Sequence, residues 1–217
     1  MIGEIMITGS KADASFTRLA VEGTTVEQGY AAHYGEVVSI IFQPTLGGYA
    51  KPLSGRFAVT GCTFRNVAMG FNAIGIEHGQ LTWHANRILD SGAGFEVWDS
   101  AHTILQATNN EIEATGYATG LPFPYPGIYI GGNFLVGLGL ASSTFLIADN
   151  TISGSAAGQY GISVDPDVFQ ENHVIVVGND ISAPGGIFLG ANTTGCIVKK
   201  EGAPVVDAGL GNYVLTP

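Results

Sequence analysis

Between Phe57 and Thr194 one short phrase recurs five times, and this recurrence limits the fold more than any other property of the chain. The first copy is Phe57-Ala58-Val59-Thr60-Gly61-Cys62-Thr63-Phe64; the others start at Leu81, Leu105, Phe145 and Val174. Each has apolar residues at its first, third and last positions. Four of the five place asparagine two before the last, at Asn86, Asn110, Asn150 and Asn179. From Cys62 to Asn86 is 24 residues, and from Asn86 to Asn110 is 24 again. A second phrase, Gly-apolar-x-apolar, follows each first one, starting at Gly70, Gly94, Gly127, Gly161 and Gly186. Self-similarity of this period marks a solenoid, in which each repeat buries its apolar face only against its neighbours. Within the phrases the apolar positions alternate, which argues for strands with one face inward. The 3–4 spacing of a helical repeat is absent.

A strand, an asparagine bend, a second strand, a loop and a Gly-apolar-x-apolar strand make one coil of a parallel β-helix. Asparagine suits the bend because it tolerates left-handed backbone angles and its side chain can bond to peptide groups of adjacent coils. Cys62 fills that slot in the first copy. The pattern resembles the pectin-lyase-like family of parallel β-helix repeat proteins, including periplasmic members of the NosD type, over roughly residues 19–194. The resemblance implies an all-β, right-handed parallel β-helix of about six coils. It also implies an extracellular or periplasmic location, and it singles out no activity.

One domain over residues 1–217 is expected, with 1–18 an incomplete first coil and 196–217 a closing turn. Leu19 to Val26 already matches the template, and Gly3 to Ile7 alternates like a second phrase alone. This is also the pattern of a segment from a longer protein. Hydrophobic residues make up 46% of the chain, enough for a continuous core, and 32 glycines suit many tight bends. Eight basic against 18 acidic residues give a net charge of −10. That balance disfavours nucleic acid, anionic membranes, and polyanionic sugars not bridged by a cation. No apolar run reaches the ~18 residues of a membrane helix, and the first residues lack the basic start of a signal peptide. Cys62 and Cys196 fall about five coils apart, too far for a disulfide.

Most coils are minimal, but the one starting at Leu105 is enlarged. Asn110 to Asn150 is 40 residues, 16 more than the usual 24. The extra residues flank the Gly127-Ile128-Tyr129-Ile130 strand on both sides, where they could wall a groove. Loops enlarged beyond a scaffold's minimum are where function concentrates. Alternation assigns Asn72, Glu96, Tyr129, Ser163 and Phe188 to one outward column, and Ile74, Trp98, Gly131, Asp165 and Gly190 to the next. In the enzymes of the resembling family, this face is the floor of the sugar groove. The ligand-binding candidates are therefore Asn72, Glu96, Trp98, Tyr125, Tyr129, Tyr160 and Asp165, with Tyr117 and Phe123 beside them. Rings pack on sugar C–H faces while carboxylates take the hydroxyls. Exposed rings on a solenoid can equally cover a neighbouring loop.

The catalytic candidates are Glu96, Asp99 and Asp165. Glu96 and Asp165 lie two coils apart, roughly 9.6 Å along the axis, plus a lateral offset of two residues. Inversion needs carboxylates about 6.5–9.5 Å apart, so no catalytic constellation is legible. No basic residue falls on the face, so the base of a lyase is missing too. Calcium is the one cofactor the sequence admits, on Asp165, Asp167 and Glu171, although Asp-Pro-Asp is also an ordinary turn. Three functional readings stay open: a secreted or surface carbohydrate-binding module centred on the enlarged coil; a polysaccharide lyase or glycoside hydrolase; and a structural or interaction solenoid without a ligand. The expected partner is a polysaccharide or oligosaccharide, with a flanking domain or a second copy as further possibilities.

Overall fold

A computed structural model describes residues 5–9, 15–27, 36–42, 53–67, 69–116, 124–132, 142–166 and 172–216. Its strands begin with β1 (Ile5–Gly9), β2 (Ser15–Glu22), β3 (Thr25–Glu27), β4 (Glu36–Phe42), β5 (Leu53–Thr60), β6 (Thr63–Arg65) and β7 (Met69–Ile74). Next come β8 (Ile76–His84), β9 (Arg87–Ser91), β10 (Ala93–Trp98), β11 (Ile104–Thr108), β12 (Glu111–Ala114), β13 (Ile128–Gly132), β14 (Ser143–Ala148) and β15 (Thr151–Gly154). The last are β16 (Tyr160–Pro166), β17 (Asn172–Val177), β18 (Asp180–Ile181), β19 (Gly186–Leu189), β20 (Ile197–Lys199), β21 (Val205–Asp207) and β22 (Tyr213–Leu215). They form three parallel sheets. Sheet A runs β1-β4-β7-β10-β13-β16-β19-β21, and sheet B runs β2-β5-β8-β11-β14-β17-β20-β22. Sheet C runs from β3 through β6, β9, β12 and β15 to β18. From β2 to β19 the chain visits B, C and A in turn six times over. The protein is a parallel β-helix, as the two alternating phrases predict.

The register matches the repeat alignment residue for residue. In sheet B, Leu19, Phe57, Leu81, Leu105, Phe145 and Val174 lie side by side. In sheet C the row is Phe64, Ile88, Ile112, Ile152 and Ile181. In sheet A it is Val38, Phe71, Phe95, Ile128, Ile162 and Ile187. These columns converge on a single core that includes Phe57, Phe64, Phe95, Ile112, Phe145 and Ile152, with Ile181 packed against it. Each such side chain contributes roughly 1.5–3 kcal/mol by leaving water. Trp83 is the largest buried member, in register with Ala107 on one side and Val59 on the other. The small neighbour offsets its volume, and its ring packs 4.4 Å from Phe71 and 5.1 Å from Phe95.

The corner between sheets B and C carries a continuous amide ladder. The side-chain oxygen of Asn86 accepts from the Cys62 backbone N–H at 3.0 Å, and that of Asn110 from the Asn86 N–H at 2.9 Å. Asn150 and Asn179 repeat the pattern at 2.9 and 3.0 Å. The Nδ2 groups of Asn86, Asn110 and Asn150 each donate to the next rung and to a carbonyl of the preceding coil, as Asn110 does to Asn150 and to Trp83. That of Asn179 donates instead to the Ile147 and Val177 carbonyls. Cys62 occupies the first rung, its thiol 3.5 Å from the Val21 carbonyl.

One expectation is corrected here: the left-handed residue is the one before the ladder asparagine. Gly23, Gly61, Ala85, Asn109, Asp149 and Gly178 have φ between 54 and 69°. The asparagine's side chain must point inward along the axis, so the preceding residue makes the bend. The other corners use hydroxyls: Ser91 accepts from Val67 N–H, and Ser143 accepts from Thr103 N–H.

β21 and β22 extend sheets A and B beyond β19 and β20. Val214 sits in the inward register of buried Val198 yet remains 38% exposed. Both cysteines are free thiols, as their separation requires. Among the described residues no helix is long and apolar enough to cross a membrane.

Candidate functional site

The outer face of sheet A holds the columns that alternation assigns to it. Asn72, Glu96, Tyr129, Ser163 and Phe188 are in register across β7, β10, β13, β16 and β19. Trp98, Gly131 and Asp165 form the next column, and Gly190 follows Leu189 beside Asp165. Their side is as expected; their exposure is not. Glu96 is 6% exposed and Tyr129 3%, and Asn72 and Ser163 are buried as well. The reason is local packing. Gly131 has no side chain, and the ring of Tyr129 folds into the vacancy: a methyl there would lie 2.5 Å from Tyr129 Cε1. Trp98 packs against that ring at 5.0 Å and donates its indole N–H to Glu96 Oε2 at 2.7 Å. Tyr125 stands 6.0 Å from Tyr129, and Met69 and Ala93 complete a second apolar cluster. The centre of the expected floor is thus a small outer core.

The part of this face in contact with solvent is a rim. Trp98, Tyr160, Asp165 and Phe188 are half-buried. The rings of Tyr160 and Phe188 stack at 5.0 Å and 28°. Asp165, next to last in β16, has its side chain over Gly190. Within the outer core, Ser163 Oγ has no hydrogen-bond partner among the described residues, an arrangement that costs about 1–3 kcal/mol.

The carboxylate candidates do not converge. Glu96 and Asp165 are separated by two strand steps and two residues of register. Asp99 comes directly after the last residue of β10 but presents nothing to the face. It is fully buried in the corner after β10 with φ 47°, at the position Gly75 takes one coil earlier. Among the described residues, basic side chains sit on other faces: Arg65 pairs with Asp90 and Arg87 with Glu111 on sheet C, and Arg56 is exposed on sheet B. The hydrogen bond from Arg87 to Glu111, with the charge of that carboxylate, raises the guanidinium pKa further. Among the described residues no group of three histidine, cysteine or carboxylate side chains could hold a metal. Asp167 and Glu171, with Tyr117 and Phe123, lie outside the described residues.

No family model, curated protein or solved structure matches the chain.

Two residues of the face have no signature in the repeat. Gln159 is fully buried; its Nε2 donates to the Tyr125 carbonyl at 2.9 Å, and its Oε1 accepts from the Ala156 N–H. It ties the segment carrying Tyr125 to the following coil. Gly131 is visible in the sequence, but only the pose of Tyr129 gives it a role. Three described histidines also lie outside the face: His78 and His102 stack at 4.9 Å in the corner between sheets A and B, and His84 bonds Thr108 on sheet B.

Proposed function

We propose that the protein is an extracellular or periplasmic β-helix that binds a polysaccharide or oligosaccharide on the outer face of sheet A, at the enlarged coil. The observation carrying this reading is the Trp98–Glu96–Tyr129 unit. The indole is fixed edge-on by a carboxylate and from the side by a second ring, while part of it stays in contact with solvent. A ring held in this way loses little freedom when a sugar packs on it. Tyr160, Phe188 and Asp165 continue the surface along the axis, and the unpartnered Ser163 hydroxyl lies beneath it. Nothing in the carboxylate spacing favours a lyase or hydrolase over simple binding. A second reading, a structural solenoid without ligand, draws on the burial of Glu96 and Tyr129, which ties up the centre of the face.

A glycan array read in the presence of calcium and of chelator tests the proposal. The expected result is binding of at least one glycan class that Trp98→Ala abolishes while the fold is kept. Silence across the array, or binding that ignores Trp98→Ala, would discard the site. Release of unsaturated or reducing sugar from a polysaccharide panel would instead reinstate the enzymatic reading.

A further inference from the structure

The outer face of sheet B changes character along the solenoid axis. On β8 and β11 its outward positions hold Gln80, Thr82, His84, Gln106 and Thr108, with Ile104, 49% exposed, as the apolar exception at one edge. From β14 onward the same column reads Leu146, Ile175, Ile197 and Tyr213, all in register. Ile197 is 41% exposed and Tyr213 63%, while Leu146 and Ile175 are half-buried, as mid-sheet outward residues are. Val177 and Leu215 widen the stripe. The central outward column thus passes from polar (Thr82, Gln106) to apolar (Leu146, Ile175, Ile197, Tyr213) along one sheet, with Thr144 and His173 at its edge.

Charge identifies the occupant. The chain carries −10 overall, so two copies repel across most of their surface. The outward positions of sheet B on β14, β17, β20 and β22 carry no carboxylate; their titratable groups are His173 at the edge of the stripe and Lys199, which is paired with Glu201 at 2.7 Å. This is where two such acidic molecules can meet without stacking like charges. The geometry points to a second copy of this chain docked face to face on sheet B, in a two-fold pair. With the axis along the strands, between β17 and β20, Leu146 faces the other copy's Tyr213 and Ile175 faces its Ile197. Apolar side chains meet apolar ones throughout the stripe.

The size of the face sets the strength. Four strands at roughly 4.8 Å and five residues at roughly 3.3 Å give a footprint of roughly 300 Å² per copy. Stable pairs bury about 800 Å² per partner. The pair is therefore a weak one that forms and parts with concentration.

Sedimentation equilibrium over a micromolar to millimolar series tests it on the whole chain. The weight-average mass should climb from 22.5 kDa toward twice that value as concentration rises. Ile175→Lys and Leu146→Lys, both at outward positions that leave the core intact, should hold the mass at the monomer value. Thr82→Lys, at a polar position of the same column, should dimerise like the parent. A parent chain that stays monomeric to its solubility limit overturns the inference; the stripe would then serve a different protein or a flanking segment. Dimerisation undisturbed by both apolar-stripe variants, or abolished equally by Thr82→Lys, overturns it too.

Discussion

Asn110→Ala removes the middle rung of the amide ladder, and the structure fixes what is lost. The Asn110 oxygen accepts from the Asn86 backbone N–H at 2.9 Å and from Asn86 Nδ2 at 3.0 Å. Its Nδ2 donates to the Trp83 carbonyl at 3.1 Å and to Asn150 Oδ1 at 2.8 Å. Asn86 Nδ2 keeps its bond to Val59, and Asn150 Oδ1 keeps the Asn110 N–H. The Asn86 N–H keeps nothing and is buried. One orphaned donor costs about 1–3 kcal/mol, and three further lost bonds about 0.5–1.5 each. The substitution should therefore cost about 2.5–7.5 kcal/mol, a large fraction of the roughly 5–15 kcal/mol that holds a typical domain together. Urea unfolding followed by circular dichroism reads this as a lower midpoint at unchanged slope. Gln106→Ala, exposed on sheet B, is the control and should stay within about 0.5 kcal/mol of the parent. Asn110→Asp keeps the acceptor but turns an oxygen toward the Trp83 carbonyl and Asn150 Oδ1. It should be worse than alanine at neutral pH and should recover as acid protonates it. If Asn110→Ala unfolds with the midpoint of Gln106→Ala, the ladder does not stabilise the fold and the reasoning fails.

Four further outcomes follow from individual residues. Cys62→Asn should add a first rung, with an acceptor for the coil before it, and raise stability by about 1 kcal/mol in the same assay. Ala85 pays for a left-handed φ of 54° with a Cβ. Relief of about 1–2 kcal/mol less about 0.4–1 of unfolded-state entropy predicts that Ala85→Gly is more stable by up to about 1.6 kcal/mol. Gly131→Ala places a methyl 2.5 Å from the Tyr129 ring; it should expel that ring and shift Trp98 fluorescence while far-ultraviolet dichroism stays constant. Burial, and then the nearby Asp207 charge, push the Cys196 thiol from 9.0 up to about 11. The folded state thus disfavours the thiolate, so this contribution is complete below pH 9 and is lost as pH rises from 9 to about 11. Iodoacetamide should leave native Cys196 unlabelled at pH 8 and label it after unfolding, and Cys196→Ala should lessen the alkaline loss of stability.

The repeat carries the fold on its surface because side-chain period and coil period are both short and both obeyed. Phe57 to Val174 could be stacked by eye, and the sheets stack them the same way. The bend was displaced by one residue because asparagine's tolerance of left-handed angles and its capacity to bond along the axis are separate properties, and this corner uses the second. The residue in front carried its own signal, being glycine, asparagine or aspartate at five of six positions. Alternation tells which side of a strand a residue takes, and it placed Glu96, Tyr129 and Ser163 correctly. It cannot tell what lies on that side. The covering of Glu96 and Tyr129 depends on a ring turning toward a glycine two residues along its own strand and on Tyr125 held by Gln159. Those contacts join positions with no fixed sequence separation, so no period reveals them. Asp99 shows the same limit, since a single residue past a strand end can enter a corner instead of continuing the face.

The asparagine ladder also has a direction. Every internal rung accepts through its Oδ1 from the coil before it and donates through its N–H and Nδ2 to the coil after it, so all internal turns present the same acceptor upstream and the same donors downstream. Excision of one whole 24-residue turn, for example residues 86–109, would join two ends that already fit. Removal of half a turn would leave both ends mismatched. A chain wired this way can lengthen or shorten by complete turns through duplication and loss, and the length of its surface becomes a quantity that evolution can count out in units.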